Sequence, residues 1–540
     1  MSIFSTGLSG LNAAQAALNV TSRNISNVYT PGYNRELTVL EDSVVSGGAS
    51  VSAIQRQFNA FTAGQLNQAT TRLEFYQVYA TNTSQIDDLL ADQDSGLSAL
   101  MQRFFSSVSD LAAAPSDPAA RQGVLGAGNS LATQFRSVSG FLEDMARGID
   151  IQLAQEVDLV NNKADLIANL NEQITVTLAR TGELPNALMN QRDQVIAELS
   201  EIVDTRVLVQ GDGTYSVSIG NGQPLVSGDN AYELSVVDAS DDSSRKAIGY
   251  RDSGGNILEL EDDSFDGGRI GGLLAFRSEV LDSARDSIGR LAVSVASAVN
   301  EQHRAGVDLN GDPGLDFFDI GSPSAFANDR NVGTAVFSAA FGDTVDLTGT
   351  SYEIRVVDAG TGEFSITRKD DQSTTMGFLD GANQLTVDGV VLTLDDPGLL
   401  ADGDRYALQP TRFAASQFST ALVDIAQVAA GQSAATGDNL NALALQQLQS
   451  TDIVGGSASP GGGYAAILGD VGNRTNIAQI NLEAQAGIRQ QVRNLQQSES
   501  GVNLDEEAAN LVRYQQYYQA NARVIEVGTV IIDTLLGLRS

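Results

Sequence analysis

The sequence predicts a mainly α-helical protein with inserted β modules. Long terminal helices are expected to form a coiled-coil-like inner domain, with a helical-bundle middle domain and small antiparallel β domains. Three observations predict this fold: apolar residues recur every seven positions at both ends, long interior stretches lack proline and glycine, and short alternating runs flank glycine turns. The chain has 540 residues. Because single cores stop growing at roughly 250–300 residues, several domains are expected.

The N-terminal helix is indicated by two interleaved rows of mainly apolar residues. The first row holds Leu11, Leu18 and Ile25, and the second holds Ala14, Thr21 and Val28. Rows with this spacing form the a/d seam of a coiled coil. Pro31-Gly32 ends the pattern, because proline cannot continue a helix and glycine favours a turn.

The C-terminal helix shows the same kind of seam over five heptads. Its first row holds Leu504, Leu511, Tyr518, Ile525 and Ile532, and its second holds Ala508, Gln515, Ala522, Thr529 and Leu536. Asn503 is expected to cap the first turn, with Glu506 three residues later. The first rows of the two ends form the predicted assembly seam, since two such helices at the ends of a chain bury each other only if the ends meet.

The interior alternates between helical and strand patterns. Helices are predicted over 65–90, 121–180, 185–203, 270–304, 411–452 and 464–498, and β segments over 205–265 and 345–410. Hairpins are predicted around the turns Gly211-Asp212-Gly213, Gly360-Thr361-Gly362 and Asp388-Gly389. The predicted domains are 1–60 together with 491–540 as the inner domain, 61–204 together with 266–306 and 411–490 as the helical body, 205–265 as a small β module, and 307–410 as a second β-rich module.

The charge distribution separates the ends from the middle. The chain carries a net charge of −35, yet residues 1–60 contain three arginines and three acidic residues, and residues 501–540 contain three arginines and five acidic residues. Nearly neutral ends can pack together, whereas the acidic middle repels its copies. The balance argues against nucleic acid and anionic membranes as partners, because both require a basic surface.

The first 22 residues do not have the composition of a signal peptide or a membrane anchor. No basic residue precedes Arg23, and residues 1–22 are rich in serine, threonine, asparagine and glutamine. The pattern therefore predicts neither a cleaved secretory signal nor a membrane span. The absence of cysteine excludes disulfides and cysteine-based metal or catalytic sites.

Candidate catalytic and metal sites have simpler structural explanations. His303 is the single histidine, so a histidine triad or multi-histidine metal site is excluded. Asp308-Leu309-Asn310-Gly311-Asp312 resembles the start of a calcium loop, but Pro313 and Asp319 replace the glycine and glutamate that such a loop requires. We expect an Asx-rich turn there instead. No catalytic, cofactor or metal site is predicted, and the chain is not expected to be an enzyme.

Motifs at both ends resemble the rod, hook and hook-associated protein family of the bacterial flagellum. The N-terminal motif is Asn24-Ile25-Ser26-Asn27 followed by Thr30-Pro31-Gly32-Tyr33, and the C-terminal motif is Ser500 to Glu507 followed by Tyr517 to Ala522. The residues of this sequence that match the family motif are Asn24, Asn27, Pro31, Gly32, Tyr33, Asn503 and Asn521. The central stretches Gly271-Gly272-Leu273-Leu274, Gln302 to Asp312, Gly314 and Asp316-Phe317-Phe318 resemble the hook-associated members.

The resemblance implies an extracellular structural subunit that forms the junction ring between hook and filament. It implies export through the flagellar type III apparatus without signal cleavage, and assembly through the terminal helices. The implied partners are other copies in a ring or helical tube, the hook protein, a second junction hook-associated protein next to the filament, and an export chaperone bound to the C-terminal helix. The alternatives are a hook or distal-rod axial protein and, in another class, a secreted calcium-binding adhesin.

Overall fold

The computed structural model describes residues 3–42, 48–91, 96–252, 254–435 and 437–538. The helices of this part of the chain are α1 (Ile3–Ser26), α2 (Ala60–Leu90), α3 (Leu97–Ala113), α4 (Pro118–Thr181), α5 (Asn186–Ile202), α6 (Gly268–Ala275), α7 (Asp282–Arg304), α8 (Leu440–Gln447), α9 (Pro460–Ser500) and α10 (Leu504–Gly537). A π-helical turn joins α6 to α7. The predicted fold class is confirmed, because long terminal helices and a helical body carry small antiparallel sheets.

The two ends of the chain meet in one antiparallel helix pair. α1 packs along α10, and Asn24 near the end of α1 reaches Glu507 near the start of α10. A hairpin of β1 (Glu36–Asp42) and β2 (Ala49–Arg56) follows α1. The sequence analysis did not predict this hairpin, because most of its residues remain solvent-accessible on both faces and give no alternating pattern.

The helical body is built on the pairs α2 with α9 and α3 with α4. Asn59 caps the start of α2 and Asp117 caps the start of α4, each by accepting backbone N–H groups of the first turn. α4 runs for 64 residues and stops at Gly182, whose φ of 71° favours glycine. The body core is rich in fully buried aromatic rings: Phe104, Phe105, Phe135, Phe276, Phe317, Phe318 and Phe418.

The first β module follows α5 and contains two small sheets. One is four-stranded, in the order β3 (Thr205–Val209), β4 (Tyr215–Ile219), β5 (Pro224–Ser227) and β6 (Asn230–Ala231); the other is three-stranded, in the order β7 (Leu234–Asp238), β8 (Lys246–Arg251) and β9 (Ile257–Glu259). The predicted hairpin around Gly211-Asp212-Gly213 is confirmed, with Gly213 at a φ of 84°.

The second β module lies between α7 and α8. Its strands are β10 (Phe318–Asp319), β11 (Ser324–Ala327), β12 (Phe337–Phe341), β13 (Tyr352–Asp358), β14 (Glu363–Arg368), β15 (Thr374–Phe378), β16 (Gln384–Val387), β17 (Val390–Leu394), β18 (Arg405–Gln409) and β19 (Ser419–Thr420). They pair in the orders β11-β18-β13-β14-β15, β12-β17-β16 and β10-β19. Both predicted hairpins, β13–β14 and β16–β17, are confirmed.

The helix predicted over 411–452 was wrong for most of its length, since only α8 within it is α-helical. The backbone of this segment bonds to distant groups rather than to its own preceding turn. The Ala429 N–H donates to His303 Nε2 (2.9 Å), and the Gly431 carbonyl accepts from the Val307 N–H (2.7 Å). Tertiary hydrogen bonds have replaced the helical ladder that an alanine-rich sequence suggests.

Candidate assembly site at the joined termini

Small residues let α1 and α10 approach closely. A methyl group added at Gly7 would lie 2.8 Å from Ile525 Cγ1, and one added at Gly528 would lie 2.6 Å from Ile3 Cγ2. Real side-chain carbons keep larger separations, so larger residues at these glycines would push the helices apart. The two contacts show that the helices are antiparallel, because the start of α1 lies beside the last turns of α10.

Asn24 is only 1% exposed and lies at the centre of a polar network. Its Nδ2 donates to the Glu36 carbonyl (2.9 Å) and to Glu507 Oε2 (3.2 Å). Its Oδ1 accepts from the Tyr33 hydroxyl (2.8 Å) and from the Glu36 backbone N–H (3.0 Å). Both N–H groups and both lone pairs of the amide are therefore used. Asn24 joins α1, the loop after it, β1 and α10.

Glu507 is also 1% exposed, and its charge is balanced by Arg35. Arg35 Nε donates to Glu507 Oε1 (2.8 Å), and Arg35 Nη1 donates to Glu506 Oε2 (2.7 Å). The Asn503 side chain accepts the N–H groups of Asp505 and Glu506 and so caps α10. A buried carboxylate needs such pairing, and its place in the first helical turn is also favourable. We call Asn24, Tyr33, Arg35, Glu36 and Glu507 the terminal clasp.

The Tyr33 hydroxyl is held in its protonated form. Burial raises the pKa of Tyr33 to about 12, and the Glu36 carboxylate adds to the rise while Arg23 opposes it. Arg23 pairs with Glu36 at 3.0 Å. A protonated phenol can donate to Asn24 throughout the neutral pH range.

The clasp is tied to the helical body through α5. Asn34 Nδ2 donates to Asn190 Oδ1 (2.8 Å), and Arg56 Nη1 donates to Asp193 Oδ2 (2.5 Å). Burial raises the pKa of Asp193, and the Arg56 guanidinium opposes that rise. The terminal pair is therefore connected to the body by both hydrogen bonds and a charge pair.

The remaining family-motif residues shape the loop after α1. Gly32 has a φ of 74°, and a methyl group there would lie 2.8 Å from the Cβ of Gln194 on α5. Asn27 donates to the Arg23 carbonyl (2.9 Å) at the end of α1, and Pro31 is exposed in the turn. Asn521 lies on the α1 side of α10, where its Nδ2 donates to the Tyr517 carbonyl (2.9 Å).

The predicted assembly seam is divided between the α1–α10 contact and solvent. Half-buried members are Leu11, Leu18, Ile25, Leu511 and Ile525, and exposed members are Leu504, Tyr518 and Ile532. The second C-terminal row lies one residue earlier than predicted: Glu507, Tyr514, Asn521 and Gly528 face α1, whereas Ala508, Gln515, Thr529 and Leu536 are exposed. The role of the seam in assembly stays a prediction.

Sequence reasoning missed Arg35 and Glu36 and did not assign Glu507 a role. From the sequence, Glu507 is one of several acidic residues in the first turn of the C-terminal helix. Its burial was not predicted, because charged residues are rarely buried. The available signal was spacing, since Glu507 lies in the heptad row that includes Tyr514 and Asn521. A polar residue in such a row indicates a buried polar contact.

The earlier candidate sites are structural in this fold. His303 is fully buried, and its Nε2 accepts the Ala429 N–H, while its Nδ1 is bonded to the Leu315 carbonyl. Asp308 Oδ1 accepts the N–H groups of Asn310 (2.8 Å) and Asp312 (2.9 Å), which is an Asx turn. Within the described ranges, no cluster of three or more His, Cys, Asp or Glu side chains could hold a metal ion.

A cavity of about 720 Å³ lies between the motif loop and the helical body. Residues 28–34 line one side, and α2, α5, β3 and the end of α9 line the others. Its charged lining groups are Asp193, Glu201, Arg489 and Arg493, which include no histidine or cysteine. None of the helices described has the length and apolar character required to span a membrane.

Comparison with known sequences covers the whole chain. Residues 83–318 match the family described as flagellar hook-associated protein FlgK helical domain, and residues 326–410 match flagellar hook-associated protein 1, D2-like domain. Residues 4–34 match flagella basal body rod protein, and residues 496–538 match flagellar basal body rod FlgEFG protein C-terminal. The chain is 38% identical to flagellar hook-associated protein 1 of Escherichia coli strain K12 over 550 residues, covering 100% of both chains.

The chain belongs to the flagellar hook-associated protein 1 family. Flagellar hook-associated protein 1 of Salmonella typhimurium strain LT2 is 37% identical over 556 residues, again with 100% of both chains covered. The solved structure of the flagellar hook junction protein FlgK from Burkholderia pseudomallei superposes with a TM-score of 0.76 at 25% identity, covering 81% of this chain and 100% of that one. Membership in the hook-associated protein 1 family makes the chain a structural subunit of the flagellum at the hook–filament junction.

Proposed function

We propose that copies of this chain assemble into a ring that joins the hook to the filament, with the terminal helices as the inner wall. The observation that carries the proposal is the set of apolar side chains that α10 exposes from its first turn to its last. The exposed residues are Leu504, Val512, Val524, Val527, Val530, Ile531, Ile532, Leu535 and Leu536. α1 covers only part of α10, and Ile532, Leu535 and Leu536 lie beyond Gly528, which packs against Ile3 at the start of α1. Further helices are therefore needed to bury these side chains.

In the proposed assembly, some residues of the predicted seam form contacts within one copy and others form contacts between copies. Leu11, Leu18 and Ile25 with Leu511 and Ile525 contribute to the pairing within one copy, whereas Leu504, Tyr518 and Ile532 contact neighbouring copies. The domain division also enters as a proposal: the inner domain is 1–60 with 491–540, and the remainder surrounds it. The acidic middle then faces solvent, where self-repulsion between copies is weakened by water and salt.

The proposed partners follow from the same exposed helix. Before assembly, a cytosolic export chaperone covers the apolar face of α10, and the chain passes unfolded through the flagellar export channel. After assembly, the hook protein lies on one side of the ring and a second hook-associated protein lies on the filament side. The proposal gives the chain no enzymatic activity, no cofactor and no contact with nucleic acid or membrane.

The test is microscopy and motility of a deletion strain of the source bacterium, complemented by three versions of the gene. The full chain should restore filaments, and a version lacking 501–540 should leave hooks without filaments and filament protein in the medium. Gly123→Ala, a change in the helical body at a glycine with open space around it, serves as the control and should behave as the full chain. Filaments of normal number with the truncated version would contradict the proposal.

A further inference from the structure

α9 exposes an apolar stripe on the side that faces away from α2. Ile477, Ile480, Ile488 and Leu495 are all exposed, between 45% and 59%. Since successive helical residues rotate by about 100°, these four side chains fall within a sector of about 80° that extends for about 27 Å. The α9 residues buried in the body, Val471, Thr475 and Ala478, lie on the other side of the helix. We call these four residues the α9 stripe.

The sector of α9 that carries the α9 stripe is free of charge between Ile477 and Leu495. Asn476, Asn481 and Asn494 flank the stripe, and the three ionisable residues of this stretch, Glu483, Arg489 and Arg493, all fall outside its sector. In a chain with a net charge of −35, a charge-free helical face of this length allows the approach of another copy. The side-chain NH2 groups of the flanking asparagines can also donate to carboxylates on a partner.

α4 exposes a second stripe with a different border. Phe141, Ile151, Leu159, Leu166 and Val176 are exposed between 37% and 61% and fall within a sector of about 100°. Three exposed acidic residues spaced by seven, Asp158, Asp165 and Glu172, follow one edge of it. We call the five apolar residues the α4 stripe. The two helices join the body through different neighbours, α9 mainly through α2 and α4 mainly through α3 and α5.

We infer that the α9 stripe of one copy packs on the α4 stripe of the next copy around the ring. A ring of more than two copies needs two different surfaces on each subunit, because contacts between identical surfaces close after two copies. Pairing α4 with α4 would bring two acidic rows together, whereas α9 carries two arginines and one glutamate between Ile477 and Leu495 and does not repel the row. The inference rests on the proposed ring and adds the surfaces that close it.

The chain has no cysteine, which permits an unambiguous cross-linking test. One set of full-length variants carries Ile480→Cys, Ile488→Cys or Leu495→Cys, and a second set carries Ile151→Cys, Leu159→Cys or Leu166→Cys. Pairs from the two sets are expressed together in the deletion strain, and purified hook–filament preparations are oxidised. A disulfide requires Cα atoms within about 7 Å, so a defined subset of the nine pairs should cross-link.

The expected result is a disulfide-linked dimer that contains one variant of each set. When the cysteine on α9 is moved along the helix, the α4 position that cross-links to it should move along α4 in step. Ala486→Cys, exposed on another face of α9, is the matched control and should not cross-link to α4. Dimers of α9 with α9 or of α4 with α4, or no α9–α4 dimer in any pair, would overturn the inference. Antibody detection of the chain at hook ends is carried out on the same preparations. If the chain is detected there without α9–α4 dimers, the inference about the two stripes fails while the proposed ring stands; if the chain is absent from hook ends, the proposed ring fails.

A second measurement uses charge instead of covalent capture. Ile488→Glu places a carboxylate opposite the acidic row of α4 and should reduce the number of filaments per cell at least tenfold. Ala486→Glu adds the same charge outside the stripe and should leave the number unchanged. Equal filament numbers for the two variants would count against the α9 stripe as a contact surface.

Discussion

Replacing Asn24 with alanine removes the centre of the terminal clasp. Four hydrogen bonds are lost, one of them to the Glu507 carboxylate. Hydrogen bonds contribute about 1 kcal/mol each and bonds to charged groups about 1.5–3 kcal/mol, while buried groups left unpaired add a further cost. Since Tyr33 and Glu36 can regain part of this by binding water in the space vacated, the terminal pair should lose about 3 kcal/mol.

Hydrogen exchange of the purified full-length chain measures this loss directly. A loss of about 3 kcal/mol corresponds to an opening equilibrium about 150-fold larger, so the amides of α1, β1 and the first turns of α10 should exchange about that much faster. Amides in the α3–α4 core should change far less, because they open in a different unit. Asn27→Ala is the control, since Asn27 makes only local bonds at the exposed end of α1. Equal exchange rates for the two variants would refute the clasp as a source of terminal pairing.

Other predictions test the body. Gly289→Ala should lower the free energy of unfolding in urea by about 2–4 kcal/mol, because its methyl group would overlap the Thr411 backbone carbonyl. Gly123→Ala has open space around it and should raise the free energy of unfolding by about 0.5–1 kcal/mol. Similar urea midpoints for the two variants would contradict the packing at Gly289. Burial lowers the pKa of His303 below its ordinary value near 6.5. The unfolded chain therefore binds the proton first, so the contribution of His303 to the free energy of unfolding should be constant well above pH 6.5 and fall below it. His303→Gln should flatten this acid limb, and an unchanged pH profile would show that other groups cause it.

The elements that sequence predicted well are those whose burial follows a simple period. The hairpins β13–β14 and β16–β17 alternate buried and partly exposed residues around glycine turns, and the terminal helices repeat every seven residues. The hairpin β1–β2 shows no such alternation, because neither of its faces is buried in a core. The stretch before α8 has a helix-forming composition, but its amides bond to His303 and other distant groups that no local pattern reveals.

The candidate site was predictable in location but not in chemistry. The heptads and motifs placed it at the joined ends, and Asn24, Tyr33 and Asn503 were all selected from sequence. The pairing of Arg35 with Glu507 joins residues 472 positions apart, and only the antiparallel register of α1 and α10 brings them together. The second C-terminal row was placed one residue too late because the residues that face α1 are not apolar. Tyr514 and Asn521 contact α1 with large or polar side chains, which an apolar pattern does not reveal.

The clasp explains how a pair of helices with small contact residues keeps one register. α1 buries Gly7, Ala14 and Thr21, spaced by seven, and such a row would fit α10 almost equally well after a shift of one heptad. Glu507 removes that freedom, because any shift leaves its carboxylate buried without Asn24 and Arg35. A buried polar contact that costs stability when mispaired thereby selects a single alignment. An apolar residue at position 507 should therefore keep the helices paired but allow more than one register, which distance measurements between spin labels on α1 and α10 would detect as a second population.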